Sequence, residues 1–119
     1  MVFNVFAVNQ DDHVKNLSFH MNPVGTWSLT PAYDVTFAKG GRWTAAHQMR
    51  VAEKRNGIDR ADLMQVGKMF GLKKPNEIIE RVEEVVSRWP EYARETEVPK
   101  ANVRRIELDL AERRESLEP

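Results

Sequence analysis

"NQDDHVKNLSF", residues 9–19, sets two carboxylates, an imidazole, an ammonium and a carboxamide within Asp11–Ser18. An apolar run, "MVFNVFAV" (1–8), precedes it, and an alternating segment follows, leading to "WSLTPAYDV" (27–35). Solvated turns usually lean on Gly, Pro, Asn and Ser, yet Gly and Pro are absent from Met1 to Asn22. So dense a polar cluster between apolar flanks reads as a site rather than a turn.

The remainder of the chain bounds the kind of site. At 119 residues it fits one domain with a real core. Hydrophobic residues make up 41% and charged residues 30%, as in an ordinary globular protein. Eighteen basic residues balance eighteen acidic ones, which argues against direct nucleic-acid binding, since that normally demands a basic excess. Cysteine is absent, so disulfides and thiolate metal sites are excluded. No apolar run nears the roughly 20 residues that cross a bilayer, and the N-terminus lacks a basic signal-peptide region. A cytoplasmic protein without membrane contact is expected. Up to residue 58 there are six Lys/Arg against four Asp/Glu; beyond it there are twelve against fourteen. All three histidines, His13, His20 and His47, lie in the first part.

Within one domain the pattern separates a first part of short apolar and polar runs (1–38) from a loop-rich stretch (39–58) that reads as mobile and a helical scaffold (59–117). "MVFNVFAV" is too short to separate strand from helix, and it begins without a capping residue, as if cut from a longer helix. "LSFHM" and "TWSLT" flank "NPVG", which predicts a hairpin around 17–30 ended by Pro31. In "DRADLMQVGKMFG", Asp59 is placed as N-cap and Gly71 just past the end, with Leu63, Val66 and Phe70 on one face. "KPNEIIERVEEVVSRWP" starts at Pro75 and stops before Pro90, with Ile78, Ile79, Val82, Val85, Val86 and Trp89 as its stripe. A last helix after Pro99 aligns Val103, Ile106, Leu110 and Leu117 opposite a face of Arg and Glu that reads as solvated surface.

Three positions in the first segment carry chemistry: Asp11, Asn16 five residues later, and Asp34 in "AYDV". Phosphoryl transfer needs a carboxylate to take a hydroxyl proton and oxygen ligands to hold magnesium against phosphates. Protein kinases supply them from an H-R-D-x-x-x-x-N loop and a later Asp. Magnesium keeps several waters, so two protein ligands suffice. A D-x-x-x-x-N interval alone is weak; with a hairpin and second Asp following, it is far more specific.

These segments, "NQDDHVKNLSF" and "WSLTPAYDV", resemble the catalytic and metal-binding segments of HipA-like bacterial serine/threonine kinases, toxins of toxin–antitoxin pairs. The likeness continues more loosely through "GGRWTAAHQM" and "IDRADLMQVGKMFG" to "RWPEYA". It implies a mainly α, protein-kinase-like C-terminal lobe with a small β-hairpin at the catalytic and metal end, and it makes residues 1–38 the catalytic and metal-binding segments. It implies Asp11 as catalytic base, His13 in support near the transferred phosphate, and Lys15 and Asn16 at the ATP phosphates. Asn16 and Asp34 would be the Mg2+ ligands. Partners implied are a DNA-binding antitoxin of the HipB type and a protein substrate such as an aminoacyl-tRNA synthetase. Asp12 reads as a loop or helix cap, His20 and His47 as structural, and Trp27 and Tyr33 as packing residues.

No G-x-G-x-x-G loop occurs in the sequence, and the resemblance places that loop and the nucleotide-positioning lysine upstream. The expectation is a C-lobe fragment with little activity by itself. The rival reading is a non-catalytic interaction module that binds an antitoxin-like partner or self-associates into a homo-oligomer through exposed apolar surface. A metal-dependent phosphohydrolase built on Asp11, Asp12, His13 and Asp34 fits the residue types, but lacks a second metal cluster.

Overall fold

The computed structural model describes residues 1–118. It is mainly helical, with helices α1 (Val2–Phe6), α2 (Arg60–Met69), α3 (Pro75–Ser87), α4 (Trp89–Glu95) and α5 (Lys100–Leu117). An antiparallel hairpin, β1 (Phe19–Met21) and β2 (Trp27–Leu29), stands apart from them, in the register Phe19↔Leu29, His20↔Ser28, Met21↔Trp27. Its turn is closed by Asn22, whose Oδ1 accepts from the N–H groups of Val24 and Thr26 at 3.0 and 2.9 Å. Among the described residues no helix is long and apolar enough to cross a membrane.

The expected signals build α2. Asp59 and Asp62 form a reciprocal capping box, each side chain accepting from the other's backbone N–H at 2.9 Å. At the far end Gly71 takes φ +67, and the Gly71 and Leu72 N–H groups reach the Lys68 and Gly67 carbonyls. That is the Schellman pattern, which glycine permits without a Cβ penalty. Pro75 then opens α3 at its first turn. Gly67 is where the two helices meet: a Cβ built there would lie 2.4 Å from Pro75 Cβ. Gly67→Ala should therefore force α2 and α3 apart, costing about 1–3 kcal/mol despite alanine's better helix propensity. A chemical denaturation curve that is unchanged or shifted to higher stability would contradict that contact.

One core joins the elements. Val5 and Phe6 of α1, Leu63 of α2, Ile79 of α3 and Leu117 of α5 are buried together with Val51 and Ile58. The apolar first segment is thus a helix inserted among the others, and α1 packs on both α3 and α5. The stretch 39–58 forms no helix or strand beyond an isolated Val51–Lys54 bridge, and within it His47, Val51 and Ile58 are buried against the rest of the chain.

Several expectations need correction. The α3 helix ends at Ser87, and Trp89 opens α4 with Pro90 in its first turn. Proline lacks an N–H and cannot continue the α3 ladder, yet it is tolerated at a helix start. The α3 stripe is narrower than expected: Pro75 and Ile79 are buried, Val82 and Val86 half-buried, and Ile78 and Val85 exposed. Phe70, expected beside Leu63, is the C-cap residue and is 76% exposed. Trp27 is not a packing residue but 65% exposed. Tyr33 is exposed too, and its hydroxyl donates to the Lys15 carbonyl at 2.6 Å.

Candidate active site

The segment after α1 is held in place by its neighbours in space. Gln10 N–H donates to the Ala38 carbonyl and Ala38 N–H to the Val8 carbonyl, both at 3.0 Å, so residues 8–10 run alongside the chain just past Asp34. After His13, residues Val14–Asn16 form one 3-10 turn. The Asn16 side-chain amide donates back to the Asp11 carbonyl at 2.9 Å. This bond closes the five-residue interval into a loop and gives a local reason for its length.

Long-range contacts bring Asp34 to this loop. Asn9 is buried, and its Nδ2 donates to the Asp34 carbonyl and to Asn4 Oδ1, each at 3.3 Å. Tyr33 grips the Lys15 carbonyl from the adjacent position. Asp34 itself sits at φ +53, a left-handed conformation costing an L-residue roughly 1–2 kcal/mol. Such strain persists only where surrounding bonds hold it, and it concentrates at functional sites. Behind Asp34, α5 braces the chain: Lys39 reaches Asp109 at 2.6 Å and Glu112 at 3.2 Å, and Arg105 lies 5.4 Å from the Phe37 ring centroid.

As a result Asp11, His13 and Asp34 each offer one ligand atom, all within 4.8 Å of one another. Asn16 and Asp34 line an open cleft of about 420 Å3, together with Asn9, Leu17 and Tyr33. Asp11 and His13 are not part of that lining and meet Asp34 in the cluster instead. Lys15 is exposed, and only its backbone is engaged with Tyr33. Asp12 faces away from the cluster: it is buried and bonded to His47, which fits the capping role and leaves the phosphohydrolase set without one carboxylate. Burial opposes charge on Asp12, but the His47 ring and the Gln48 and Met49 N–H groups outweigh it, so the carboxyl titrates below its ordinary value. His20 lies in the hairpin, its Nε2 3.1 Å from Ser28 Oγ.

Two residues that orient the site were not foreseen in that role, Asn9 and Tyr33. Among the described residues, His13 Nδ1 and Asn9 Oδ1 are buried without a hydrogen-bond partner, which is unusual unless a ligand or water completes them. Two carboxylates and an amide oxygen match the hard-oxygen preference of Mg2+; an imidazole does not, so His13 suits a proton or phosphate better than this metal. A hollow of about 440 Å3 between α3, α4 and α5 is lined by Arg114, paired with Glu83 at 2.8 Å, and by Glu107, Glu115 and Glu118.

Fold and site together define a mainly helical domain that gathers an Asp/His/Asp cluster beside a small hairpin. A family model for the HipA-like C-terminal domain matches residues 1–89, and the chain belongs to that family. Comparison with curated proteins and with solved structures gives no match.

Proposed function

We propose that this chain is the C-terminal, catalytic-loop half of a HipA-like protein kinase that transfers the γ-phosphoryl group of Mg-ATP to a protein Ser or Thr. The observation that carries the reading is the convergence of Asp11 and His13 with Asp34, which lies beyond the hairpin in sequence. In this reading Asp11 accepts the proton of the attacking hydroxyl. The Asn16 bond to the Asp11 carbonyl keeps that base at a fixed height in its loop. His13, with its unpartnered Nδ1, donates to a phosphate oxygen. Asn16 and Asp34 would hold Mg2+, which when bound supplies charge neutralisation of the phosphates. Positioning and electrostatics provide most of phosphoryl-transfer catalysis. Since the sequence has no Gly-rich phosphate loop, we expect these residues by themselves to transfer phosphate slowly or not at all. An antitoxin of the HipB type and an aminoacyl-tRNA synthetase substrate are proposed on the resemblance alone.

The test is a fusion of the chain to the nucleotide-binding lobe of an intact family member, assayed for magnesium-dependent phosphate transfer. Asp34→Asn nearly keeps shape but removes a charged ligand. It should raise the Mg2+ concentration for half-maximal rate by about tenfold or more, roughly 1.4 kcal/mol of lost binding. An unaltered magnesium requirement in an active fusion would remove Asp34 from the ligand set.

One observation favours the second reading, a non-catalytic interaction module. Phe19, Met21, Trp27 and Leu29 share one face of the hairpin by their register, and all are more than half exposed. No Lys, Arg, Asp or Glu occurs from Asn16 to Tyr33, the depletion typical of interface centres. Binding of a partner by a fusion that stays silent with Mg-ATP would favour this reading.

A further inference from the structure

We infer that Asp12 and His47 are positioning residues: their buried pair latches the segment bearing Asp11 and His13 to the loop 47–58, and so sets how Asp11 faces Asp34 and where Asn16, bonded to the Asp11 carbonyl, presents its metal-ligand oxygen. The inference rests on the proposed kinase reading and goes beyond it, because neither residue belongs to the cluster. Residues 10–13 carry no helix, and His13 has φ −77 and ψ 164. In extended chain, successive side chains point to opposite sides. Asp11 and His13 therefore share the side that meets Asp34, and Asp12 takes the other. Fixing Asp12 fixes the roll of the segment, and with it the direction of both neighbours.

The hold on Asp12 is strong. Its Oδ2 meets His47 Nδ1 at 2.9 Å, and its Oδ1 accepts from Gln48 N–H at 2.7 Å, with Met49 N–H at 3.4 Å. Both side chains are almost wholly buried, at 3% and 2% exposure. Hydrogen bonds to an ionised carboxylate are the stronger kind, and here water does not compete. The receiving loop is itself rigidly tied. Arg55 Nε donates to the His47 carbonyl at 2.5 Å, and His47 N–H to the Arg55 carbonyl at 3.2 Å. Val51 and Lys54 pair as an isolated bridge, and Lys54 Nζ reaches Asp62 Oδ2 at 2.8 Å, inside the α2 capping box. A continuous run of bonds thus leads from beside the cluster to the start of α2.

The test measures Mn2+ binding to the full chain by calorimetry, well below the thermal midpoint of each variant. Asp12→Asn keeps shape but weakens the tie to His47; His47→Gln removes the ring and leaves Asp12 charged with its backbone bonds. Each should weaken Mn2+ affinity about tenfold, the lower end for partners that orient a ligand. The double variant should lose little more than either single one, because one latch is being broken. Gly67→Ala crowds Pro75 at the α2–α3 contact and lowers the denaturation midpoint, yet should leave Mn2+ affinity unchanged, separating lost positioning from lost stability. If Asp12→Asn weakens binding and His47→Gln does not, the effect is only that of a lost negative charge, and the latch is overturned. Unchanged affinity in both, with wild-type binding intact, overturns it as well. Absence of Mn2+ binding by the wild-type chain removes the metal reading, and the inference with it. Should Asp12→Asn fail to fold, His47→Gln decides the matter.

Discussion

Asp11→Asn, in the chain joined to a nucleotide-binding lobe, is expected to lower the rate of phosphate transfer by roughly 10²–10⁴-fold, the scale of a positioned general base. The substitution keeps the side chain's size, and the bond from Asn16 goes to the Asp11 backbone carbonyl, so the loop should persist. The lost property is the ability to take a proton. Single-turnover measurements at saturating Mg-ATP would place the loss in the chemical step rather than in nucleotide binding. A loss below about threefold in an active fusion, far under the general-base scale, would mean that Asp11 is a polar loop residue and that another group accepts the proton.

Ile79→Ala should be the most damaging single truncation among the core positions of α3. Ile79 is 1% exposed and packs with Val5 and Phe6 of α1, Leu63 of α2 and Leu117 of α5. Truncation there forfeits burial and leaves a cavity that the converging elements cannot all close, costing about 2–5 kcal/mol. Single domains are stable by about 5–15 kcal/mol, so the variant should unfold at much lower denaturant. Val82→Ala, at a half-buried position on the same helix, should cost only about 1 kcal/mol. Equal losses at the two sites would contradict the narrow stripe. Because α1 leads directly into the Asp11 segment, the Ile79 variant should also loosen the site, an effect to be read by hydrogen exchange at Asn9 and Gln10.

The sequence was informative where a signal is local. Asp59 and Gly71 marked the ends of α2 because capping chemistry depends on the few residues around a helix terminus. Asp11, Asn16 and Asp34 were picked out by their intervals, and the structure brings Asp11 to Asp34 and Asn16 to the Asp11 carbonyl. What stayed hidden depends on contacts between distant residues. Asn9 turns its amide to the Asp34 carbonyl 25 residues away, and no spacing rule picks out that asparagine from Asn4. A wide apolar stripe, read from periodicity, fails at Ile78 and Val85, since the neighbours of α3 cover only one narrow side. The break at Arg88 was missed because a proline after an apolar run reads equally as an ending and as the first turn of another helix.

The central claim, that these residues assemble a divalent-metal site for phosphoryl transfer, is tested most directly by titrating Mn2+ into the chain and following broadening of assigned backbone amide resonances. Broadening that begins at residues 11–16 and 33–35, and is abolished by Asp34→Asn, is the predicted result. Broadening that begins instead on the acidic faces of α3 and α5, with residues 11–16 and 33–35 untouched, would contradict it.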